Sequence, residues 1–367
     1  MERKKVPDLL LFFSVLILVG FGIVMVYSAS SIVANADYGD SLFFLRRQLF
    51  SVTLGLIAMF ITMHIDYHIY KKLARLALLV AVGGLVIVLI PGVGRIGGGA
   101  RRWINLAGLP VQPSEITKIT IIIYLSFYLT EKKEKLHSFL RGTLPVLLII
   151  GLIFFLILEE PDLGTAVTIA GTMMLMLFAG GIPLKQLITL GLGAIPAVFY
   201  FIWSEPYRKE RLLAFLNPEK DPLDTGYHII QSLYALGSGG LFGVGLGQSR
   251  QKFFYLPAPS TDFVFAILGE ELGYLGTLAV VILFFIFTWR GLKTALSAPD
   301  SFGTLLAVGL TCMVTIQAII NIGVVTGSMP VTGITLPFIS YGGSSLVIML
   351  VGVGILLNIS RQSLARD

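Results

Sequence analysis

The sequence predicts an all-α polytopic membrane protein with ten transmembrane helices, folded as a single domain over residues 1–367. Of the 367 residues, 55% are hydrophobic and 13% are charged, which is too apolar for a soluble chain of this length. Long apolar runs recur along the chain, and a helix needs about 20 apolar residues to cross a bilayer. Strands of a barrel would instead alternate apolar and polar residues over about 10 positions, so the length of the runs indicates helices.

The apolar runs give the positions of the ten predicted spans. They cover residues 8–28, 42–64, 73–91, 113–130, 143–159, 162–180, 183–203, 262–289, 302–328 and 337–359. The first run is longer than the apolar region of about 7–15 residues in a signal peptide, so we expect an uncleaved span. An even number of spans places both termini on the same side of the membrane.

The distribution of basic residues predicts which side that is. Arg3, Lys4 and Lys5 precede the first span, and many other basic residues fall in loops on the same side. Cytoplasmic loops are enriched in Lys and Arg, so both termini are predicted to be cytoplasmic and the long loop 204–261 extracytoplasmic. The net charge of +6 fits such loops and does not indicate a nucleic-acid partner. The single cysteine, Cys312, excludes a disulfide within the chain.

The short loop between the third and fourth spans carries an unusual concentration of positive charge for an outer loop. Arg95, Arg101 and Arg102 lie there among five glycines in residues 92–99. One interpretation is a flexible, solvated loop. The other is an anion cradle, because glycines let backbone N–H groups approach a ligand and the arginine fork binds phosphate through two hydrogen bonds.

Two acidic residues lie at the start of predicted spans. Glu115 and Lys118 are three residues apart in the fourth span, so they share a helix face and can pair. Charges at membrane depth cost about 2.5–3.5 kcal/mol each, so they pair with one another or face a polar cavity. Both interpretations stay open for Glu115 and Lys118: a structural ion pair, or a part of a polar site. Asp162 follows a proline in the tight turn before the sixth span and is first of all an N-cap candidate.

The long loop 204–261 contains several kinds of local structure. Residues 205–211 predict a short amphipathic helix at the membrane interface, and residues 227–236 a second short helix. Residues 237–247 contain too many glycines for a regular helix, yet their Leu and Phe side chains indicate that the segment packs against something.

The long loop ends in Asp262, where polar sequence meets the eighth span. Pro257 and Pro259 restrict φ just before it, so the approach is stiff. Asp262 either caps the following helix or serves as a catalytic base at the membrane surface. Further along the same span, Glu270 and Glu271 need partners, for which we expect Lys118 or a protonated carboxyl.

The segment before the last span is broken by prolines and glycines over residues 329–345. Such backbone is tolerated at membrane depth only where it packs on protein or lines a cavity.

Several of these motifs together resemble the SEDS family, named for shape, elongation, division and sporulation. They are residues 112–115, 161–165, 237–247, 261–263, 270–273 and 337–345. Residues 248–257 are more similar to the FtsW/SpoVE branch than to RodA. Glu160 departs from the family pattern, in which we expect Gln, and this extra carboxylate leaves the local role of Asp162 open.

The resemblance implies ten transmembrane helices and a peptidoglycan glycosyltransferase of the cell membrane. It implies polymerisation of lipid II outside the membrane, with a class B penicillin-binding protein as partner. It also implies that Asp262 is the catalytic residue and that a divalent cation, Mg²⁺ or Mn²⁺, supports activity. Division, elongation and sporulation proteins share these motifs, so they do not separate the three roles.

The chemistry of glycan extension is compatible with one carboxylate. An α-linked diphosphate donor and a β-1,4 product require a single inverting displacement, so one base is enough. Cations near the departing diphosphate would stabilise its charge. The candidates for that task are Arg47, Arg101, Arg102, Arg250 and Lys252. The rival interpretations are a flippase for lipid II, since intramembrane charges and broken helices also suit a carrier, and a non-catalytic scaffold for a transpeptidase.

Overall fold

The structure is a computed structural model, and it describes residues 6–97, 100–106, 109–220 and 226–363. Its helices are α1 (Leu9–Tyr38), α2 (Phe43–His64), α3 (His68–Leu89), α4 (Pro113–Glu131), α5 (Leu144–Glu159), α6 (Leu163–Ala179), α7 (Leu184–Trp203), α8 (Pro206–Leu216), α9 (Tyr227–Ser238), α10 (Val264–Leu296), α11 (Ser301–Val325) and α12 (Gly343–Gln362). Three strands are present: β1 (Arg95–Gly97), β2 (Ala100–Leu106) and β3 (Leu109–Val111). Arg3, Lys4 and Lys5, which bear on the predicted topology, lie outside the described residues.

Eight helices in the described part of the chain are long and apolar enough to cross a membrane. They are α1, α2, α3, α5 with the turn before it, α7, α10, α11 and α12. The other two predicted spans fall on α4, which carries three charged residues, and on α6, which has only 17 residues. Crossing by α4 and α6 therefore stays a prediction. The two short helices expected in the loop 204–261 correspond to α8 and α9.

The core of the bundle forms where helices approach closely. α12 packs along α2, α3 along α4, and α10 along both α1 and α11. Gly354 of α12 faces Met59 and Thr62 of α2 so closely that a Cβ at this position would collide with both. Small residues let membrane helices come into backbone contact, and α12 uses Gly354 in this way.

The arginine-rich loop between α3 and α4 is ordered as a small antiparallel sheet in the order β1-β2-β3. Ile96 pairs with Arg101, and Ile104 pairs with Val111. The interpretation as a flexible, solvated loop is therefore wrong for the described residues. Neighbouring residues of a strand point to opposite faces, so the side chains of Arg101 and Arg102 leave β2 on opposite sides.

The glycine-rich segment after α9 packs against a break in α10. At Gly273 the backbone of α10 is not helical, with φ 68° and ψ −165°, a conformation that favours glycine. Val244 N–H donates to the Glu270 carbonyl over 2.9 Å, and Tyr274 N–H donates to the Gly240 carbonyl over 2.9 Å. The prediction that the glycine-rich segment packs against another part of the fold is confirmed. Its backbone forms hydrogen bonds with the backbone groups of α10 that the break leaves without helical partners.

Candidate active site

The backbone around Asp262 is held by three hydrogen bonds from other parts of the fold. Asn321 of α11 donates from Nδ2 to the Asp262 carbonyl over 2.8 Å. Ser340 Oγ donates to the Thr261 carbonyl, and Tyr341 N–H donates to the Ser260 carbonyl over 2.8 Å. These contacts fix the segment just before α10 against α11 and against the broken segment that precedes α12.

Asp262 does not cap α10. The helix begins at Val264, Phe263 occupies the cap position, and no side chain forms a capping hydrogen bond there. The N-cap interpretation of Asp262 is therefore wrong, because Phe263 lies between this aspartate and the first residue of the helix.

The carboxylate of Asp262 is half-buried and lies beside the broken segment. A Cβ built on Gly333 would be 3.7 Å from Asp262 Oδ2, so this glycine leaves the carboxylate its space. Burial raises the pKa of the Asp262 carboxyl, while a hydrogen bond with Thr261 and the positive charges of Arg211 and Arg102 act in the opposite direction. The Asp262 carboxyl therefore has a raised pKa, and the charges of the two arginines limit the rise.

Asp162 lies at the start of α6, where it acts as the predicted N-cap. Its carboxylate accepts hydrogen bonds from Thr165 N–H over 3.1 Å and from Thr165 Oγ1 over 3.0 Å. Gln112, at the start of α4, donates to the same carboxylate over 3.1 Å. Asp162 also raises the pKa of Asp262, so the two acids interact electrostatically. The N-terminal ends of α4, α6 and α10 thus contribute polar groups to one site.

Arg102 joins the β-hairpin to this site. Its Nε donates to the Glu160 carbonyl over 3.0 Å and lies 4.0 Å from the Asp162 carboxylate, and its Nη2 donates to the Pro161 carbonyl. Of the predicted diphosphate ligands, Arg102 is the one whose charge is felt at Asp262.

Glu160 follows α5 and is fully buried. Its carboxyl oxygens make no hydrogen bond of good geometry within the described residues, although the Ser114 side chain interacts with them and lowers the pKa. Burial, followed by the charge of Asp162, raises the pKa of Glu160 to about 8, although Arg102 opposes the shift. The raised pKa favours the protonated form of this buried carboxyl near neutral pH.

The predicted pairing of Glu115 with Lys118 is confirmed. Lys118 Nζ lies 2.8 Å from Glu115 Oε1, and both side chains are buried. Lys118 also donates to Gln317 Oε1 over 2.9 Å, and Gln317 Nε2 donates to the Thr335 carbonyl over 3.0 Å. The ion pair therefore connects α4, through α11, with the broken segment near Asp262.

Glu271 finds a different partner from the one expected. Lys252 Nζ lies 3.0 Å from Glu271 Oε1, and Ser28 Oγ of α1 donates to the same carboxylate over 2.6 Å. The expectation that Lys118 would be its partner is wrong, because Lys252 reaches Glu271 from the long loop and Lys118 pairs with Glu115. Since its ammonium group is committed to this buried pair, Lys252 is withdrawn from the proposed diphosphate ligands.

Glu270 holds the loop backbone next to this pair. Its carboxylate accepts hydrogen bonds from Ser249 Oγ and from the backbone N–H of Arg250, the latter over 2.8 Å. The Arg250 side chain itself is exposed.

Of the remaining basic candidates, Arg47 reaches the broken segment, where its side chain hydrogen-bonds to that of Tyr341. Arg47, on α2, stacks over the Phe43 ring with its guanidinium carbon 4.3 Å from the ring centroid. Arg101 is half-buried in β2. Neither Arg47 nor Arg101 is among the charges that act on the Asp262 carboxyl, whereas Arg102 is.

Sequence reasoning missed three residues of this site. Arg211 of α8 acts on Asp262 by its charge, but an amphipathic helix predicts only an interfacial position for it. Asn321 and Gln317 are amides four residues apart in an apolar run, hence on one helix face. Polar residues within a span usually mark function, and this spacing was the signal that could have found them.

The structure is thus that of a polytopic membrane protein with a polar site near the ends of its helices. A half-buried carboxylate lies there at the N-terminal ends of apolar helices, with arginines close to it. Comparison with known proteins identifies the kind. The chain belongs to the FtsW/RodA/SpoVE family of cell cycle proteins, whose sequence profile matches residues 8–365.

Relatives and solved structures agree over nearly the whole chain. Stage V sporulation protein E of Bacillus subtilis (strain 168) is 50% identical over 361 residues, which cover 98% of this chain and 99% of that protein. A probable peptidoglycan glycosyltransferase FtsW of Geobacter sp. (strain M18) is 43% identical over 362 residues, 99% of each chain.

Two solved structures have the same fold. One is a chain of a peptidoglycan synthase complex whose structure describes how polymerization and crosslinking are coordinated. It superimposes with a TM-score of 0.80 at 31% identity, over 97% of this chain and 98% of that one. The crystal structure of the rod shape determining protein RodA of Thermus thermophilus gives a TM-score of 0.72 at 29% identity and covers 97% of each chain.

Proposed function

We propose that this chain is a peptidoglycan glycosyltransferase that polymerises lipid II into β-1,4-linked glycan strands. The observation that carries the proposal is the placement of the Asp262 carboxylate at the N-terminal ends of three helices, within the electrostatic reach of Arg102 and Arg211. Relatives named as probable peptidoglycan glycosyltransferases, with 43–46% identity over most of their length, support the same activity.

The proposed reaction is a single displacement at the anomeric carbon of the donor sugar. Asp262 accepts the proton of the acceptor hydroxyl as that oxygen forms its bond to the carbon. The bond from the carbon to the diphosphate oxygen breaks, and its electron pair leaves with the undecaprenyl diphosphate. The configuration inverts, so no second carboxylate is needed as nucleophile.

The positive charges of the site stabilise the departing diphosphate in this mechanism. Arg102 and Arg211 are the first candidates, because their charges already act on the carboxylate that takes the proton. Arg47, Arg101 and Arg250 stay in the proposal as groups that contact the substrate further from the base.

A divalent cation, Mg²⁺ or Mn²⁺, belongs to the proposal as well. Within the described residues no three His, Cys, Asp or Glu side chains converge to hold a metal ion. Mg²⁺ commonly uses one or two carboxylates together with substrate phosphates, and the donor set of Asp262 and Asp162 fits that mode. Bound with the substrate, the cation would neutralise charge on the diphosphate.

The proposed setting is the cell membrane, with ten spans, both termini in the cytoplasm and the site on the outer side. The basic loops on the inner side support this orientation. A class B penicillin-binding protein is the proposed partner, because a structural relative was solved in a peptidoglycan synthase complex. The role is division, elongation or sporulation, the processes in which this family works.

Purified protein with labelled lipid II tests the activity. Formation of long glycan strands is the expected result. Transfer of lipid II across a vesicle membrane without polymerisation would instead identify a flippase, an alternative that the buried Glu115–Lys118 pair in α4 favours. Neither polymerisation nor transfer, with retained binding to the transpeptidase, would identify a scaffold.

A further inference from the structure

Two buried amides stand on one face of α11. Gln317 and Asn321 are four residues apart, and each is about 1% exposed. Asn321 Nδ2 donates to two carbonyl groups, that of Asp262 over 2.8 Å and that of Ile334 over 2.7 Å. Both acceptors are carbonyl oxygens, so only the amino end of the Asn321 amide can face them.

The two acceptors of Asn321 belong to different segments of the chain. Asp262 ends the long loop before α10, and Ile334 lies in the broken segment between α11 and α12, next to Gly333. One amide group thus joins the backbone of the proposed base to the backbone that lies against its carboxylate. The amide oxygen of Asn321, Oδ1, has no hydrogen-bond partner within the described residues.

Gln317 extends this connection by one helical turn. Its Nε2 donates to the Thr335 carbonyl over 3.0 Å, next to Ile334 in the chain. Its Oε1 accepts a hydrogen bond from Lys118, which pairs with Glu115. The charged pair of α4 fixes the direction of the Gln317 amide, because the ammonium group can only donate.

We propose that Asn321 and Gln317 are positioning residues that hold Asp262 and residues 331–336 in the geometry required for sugar transfer. The inference rests on the proposed function and adds to it the residues through which the Glu115–Lys118 pair acts. Asn321 touches only backbone at Asp262, so it places the base and takes no part in the proton transfer itself.

Removal of the Asn321 donors should lower kcat and leave KM nearly unchanged. A base displaced by about 1 Å can cost on the order of 100-fold in rate, so we expect kcat for lipid II polymerisation to fall about 10- to 100-fold in Asn321→Leu. Asn321→Asp keeps the shape but loses the paired donors, and it should lose as much. For Gln317→Leu we expect a smaller loss, because the tie from Asn321 remains.

Asn358 of α12 provides a matched control. It is a buried amide that donates to the Met63 carbonyl over 2.9 Å and accepts a hydrogen bond from Tyr67 N–H over 3.0 Å. It lies about 22 Å along α12 from the end near Tyr341, at about 1.5 Å per residue. Asn358→Leu should leave kcat within about twofold while it loosens residues 63–67.

Hydrogen exchange provides a readout that does not depend on activity. Exchange of the amides in residues 260–263 and 331–336 should become faster in Asn321→Leu and not in Asn358→Leu. Unchanged exchange, or kcat within twofold of the parent in Asn321→Asp, would overturn the inference. An equal loss of kcat in Asn358→Leu would overturn it too, because the effect would then be general instability. If the parent protein does not polymerise lipid II, the proposed function is wrong. Hydrogen exchange then still shows whether Asn321 holds residues 260–263 and 331–336 in place.

Discussion

Lys252 and Glu271 form a buried ion pair, with Nζ 3.0 Å from Oε1, that joins the loop before Asp262 to the break in α10. Ser28 of α1 completes the arrangement with hydrogen bonds to both partners. Three separate parts of the chain therefore meet at one pair of charges. Because both charges are out of water, each depends on the other for compensation.

Removal of one partner of this pair should destabilise the protein strongly. Lys252→Met leaves the Glu271 carboxylate buried without its cation, and we expect a loss of about 3–5 kcal/mol in the free energy of unfolding. The double variant Lys252→Met/Glu271→Gln should recover part of that loss, as measured by thermal unfolding in detergent. The control is Arg46→Met, since the Arg46–Asp40 pair is exposed and worth about 0–1 kcal/mol. Equal melting temperatures for Lys252→Met and the parent would show that the Lys252–Glu271 pair does not stabilise the fold.

Neutralisation of Asp262 should remove the activity and keep the fold. Asp262→Asn preserves the size of the side chain but cannot accept the proton, so polymerisation should fall by about 10²–10⁴. This corresponds to about 3–5 kcal/mol in the activation free energy. Glycan formation from labelled lipid II provides the measurement, and Asp40→Asn, at the exposed end of α1, serves as control. Near-parental synthesis by folded Asp262→Asn would exclude this aspartate as the base.

The pH dependence of the reaction should follow the Asp262 carboxyl. Burial raises its pKa, and only the deprotonated form can accept a proton, so activity should fall as the pH drops through that raised pKa. Arg211 favours the charged form, and Arg211→Gln should therefore raise the pKa further and move the acid limb to higher pH. The profile of kcat/KM against pH measures both. An acid limb in Arg211→Gln at the same or lower pH would mean that Arg211 does not act on this carboxyl.

The parts of the fold that follow from local sequence were predictable. Apolar runs place the long helices, because the bilayer sets the length of each run. The spacing of Glu115 and Lys118 predicts their pairing, since residues three apart share a helix face. Asp162 caps α6 from the position directly before that helix. In each case the interacting groups lie within one turn of each other.

The contacts that assemble the site join residues far apart in the sequence. Asn321 and the Asp262 carbonyl are 59 positions apart, and nothing in either segment alone indicates the other. Lys252 reaches Glu271 from 19 residues earlier in the chain, next to the place where α10 breaks at Gly273. The hairpin with Arg101 and Arg102 escaped prediction because its glycines are typical of loops, whereas the pairing of the strands orders it.

Glu160 should make the stability of the protein depend on pH. Its pKa is about 8 in the folded chain, against 4.5 for an ordinary glutamate, so the folded state retains a proton that the unfolded state loses. Its contribution to stability is complete below about pH 4.5 and declines as the pH rises towards 8, by at most about 1.4 kcal/mol per pH unit.

Glu160→Gln tests that dependence because it cannot ionise. Between pH 5 and pH 9 its melting temperature should fall less than that of the parent, and the difference should grow with pH. Glu159→Gln, one residue earlier at the end of α5, serves as the neighbouring control. Parallel curves for the parent and Glu160→Gln would show that this carboxyl does not carry a raised pKa.

Glu115→Ala should impair activity by leaving Lys118 without its carboxylate. The ammonium group is buried, and its remaining hydrogen bond goes to Gln317, whose other end holds Thr335 in the broken segment near Asp262. An unpaired buried charge is costly, so either Lys118 loses its proton or the side chain moves towards water, and in both cases the tie to Gln317 weakens.

The expected result for Glu115→Ala is a drop in kcat for lipid II polymerisation by up to about tenfold, no larger than that of Gln317→Leu, with a lower melting temperature. Glu131→Ala breaks the more exposed pair of α4 with Lys71 and should change neither by much. The double variant Glu115→Gln/Lys118→Met separates the two consequences of the loss. It removes the uncompensated charge and should regain stability, yet it cannot donate to Gln317, so its activity should stay low. If Glu115→Ala polymerises lipid II as fast as the parent, the pair serves helix packing alone and Gln317 holds Thr335 without its help.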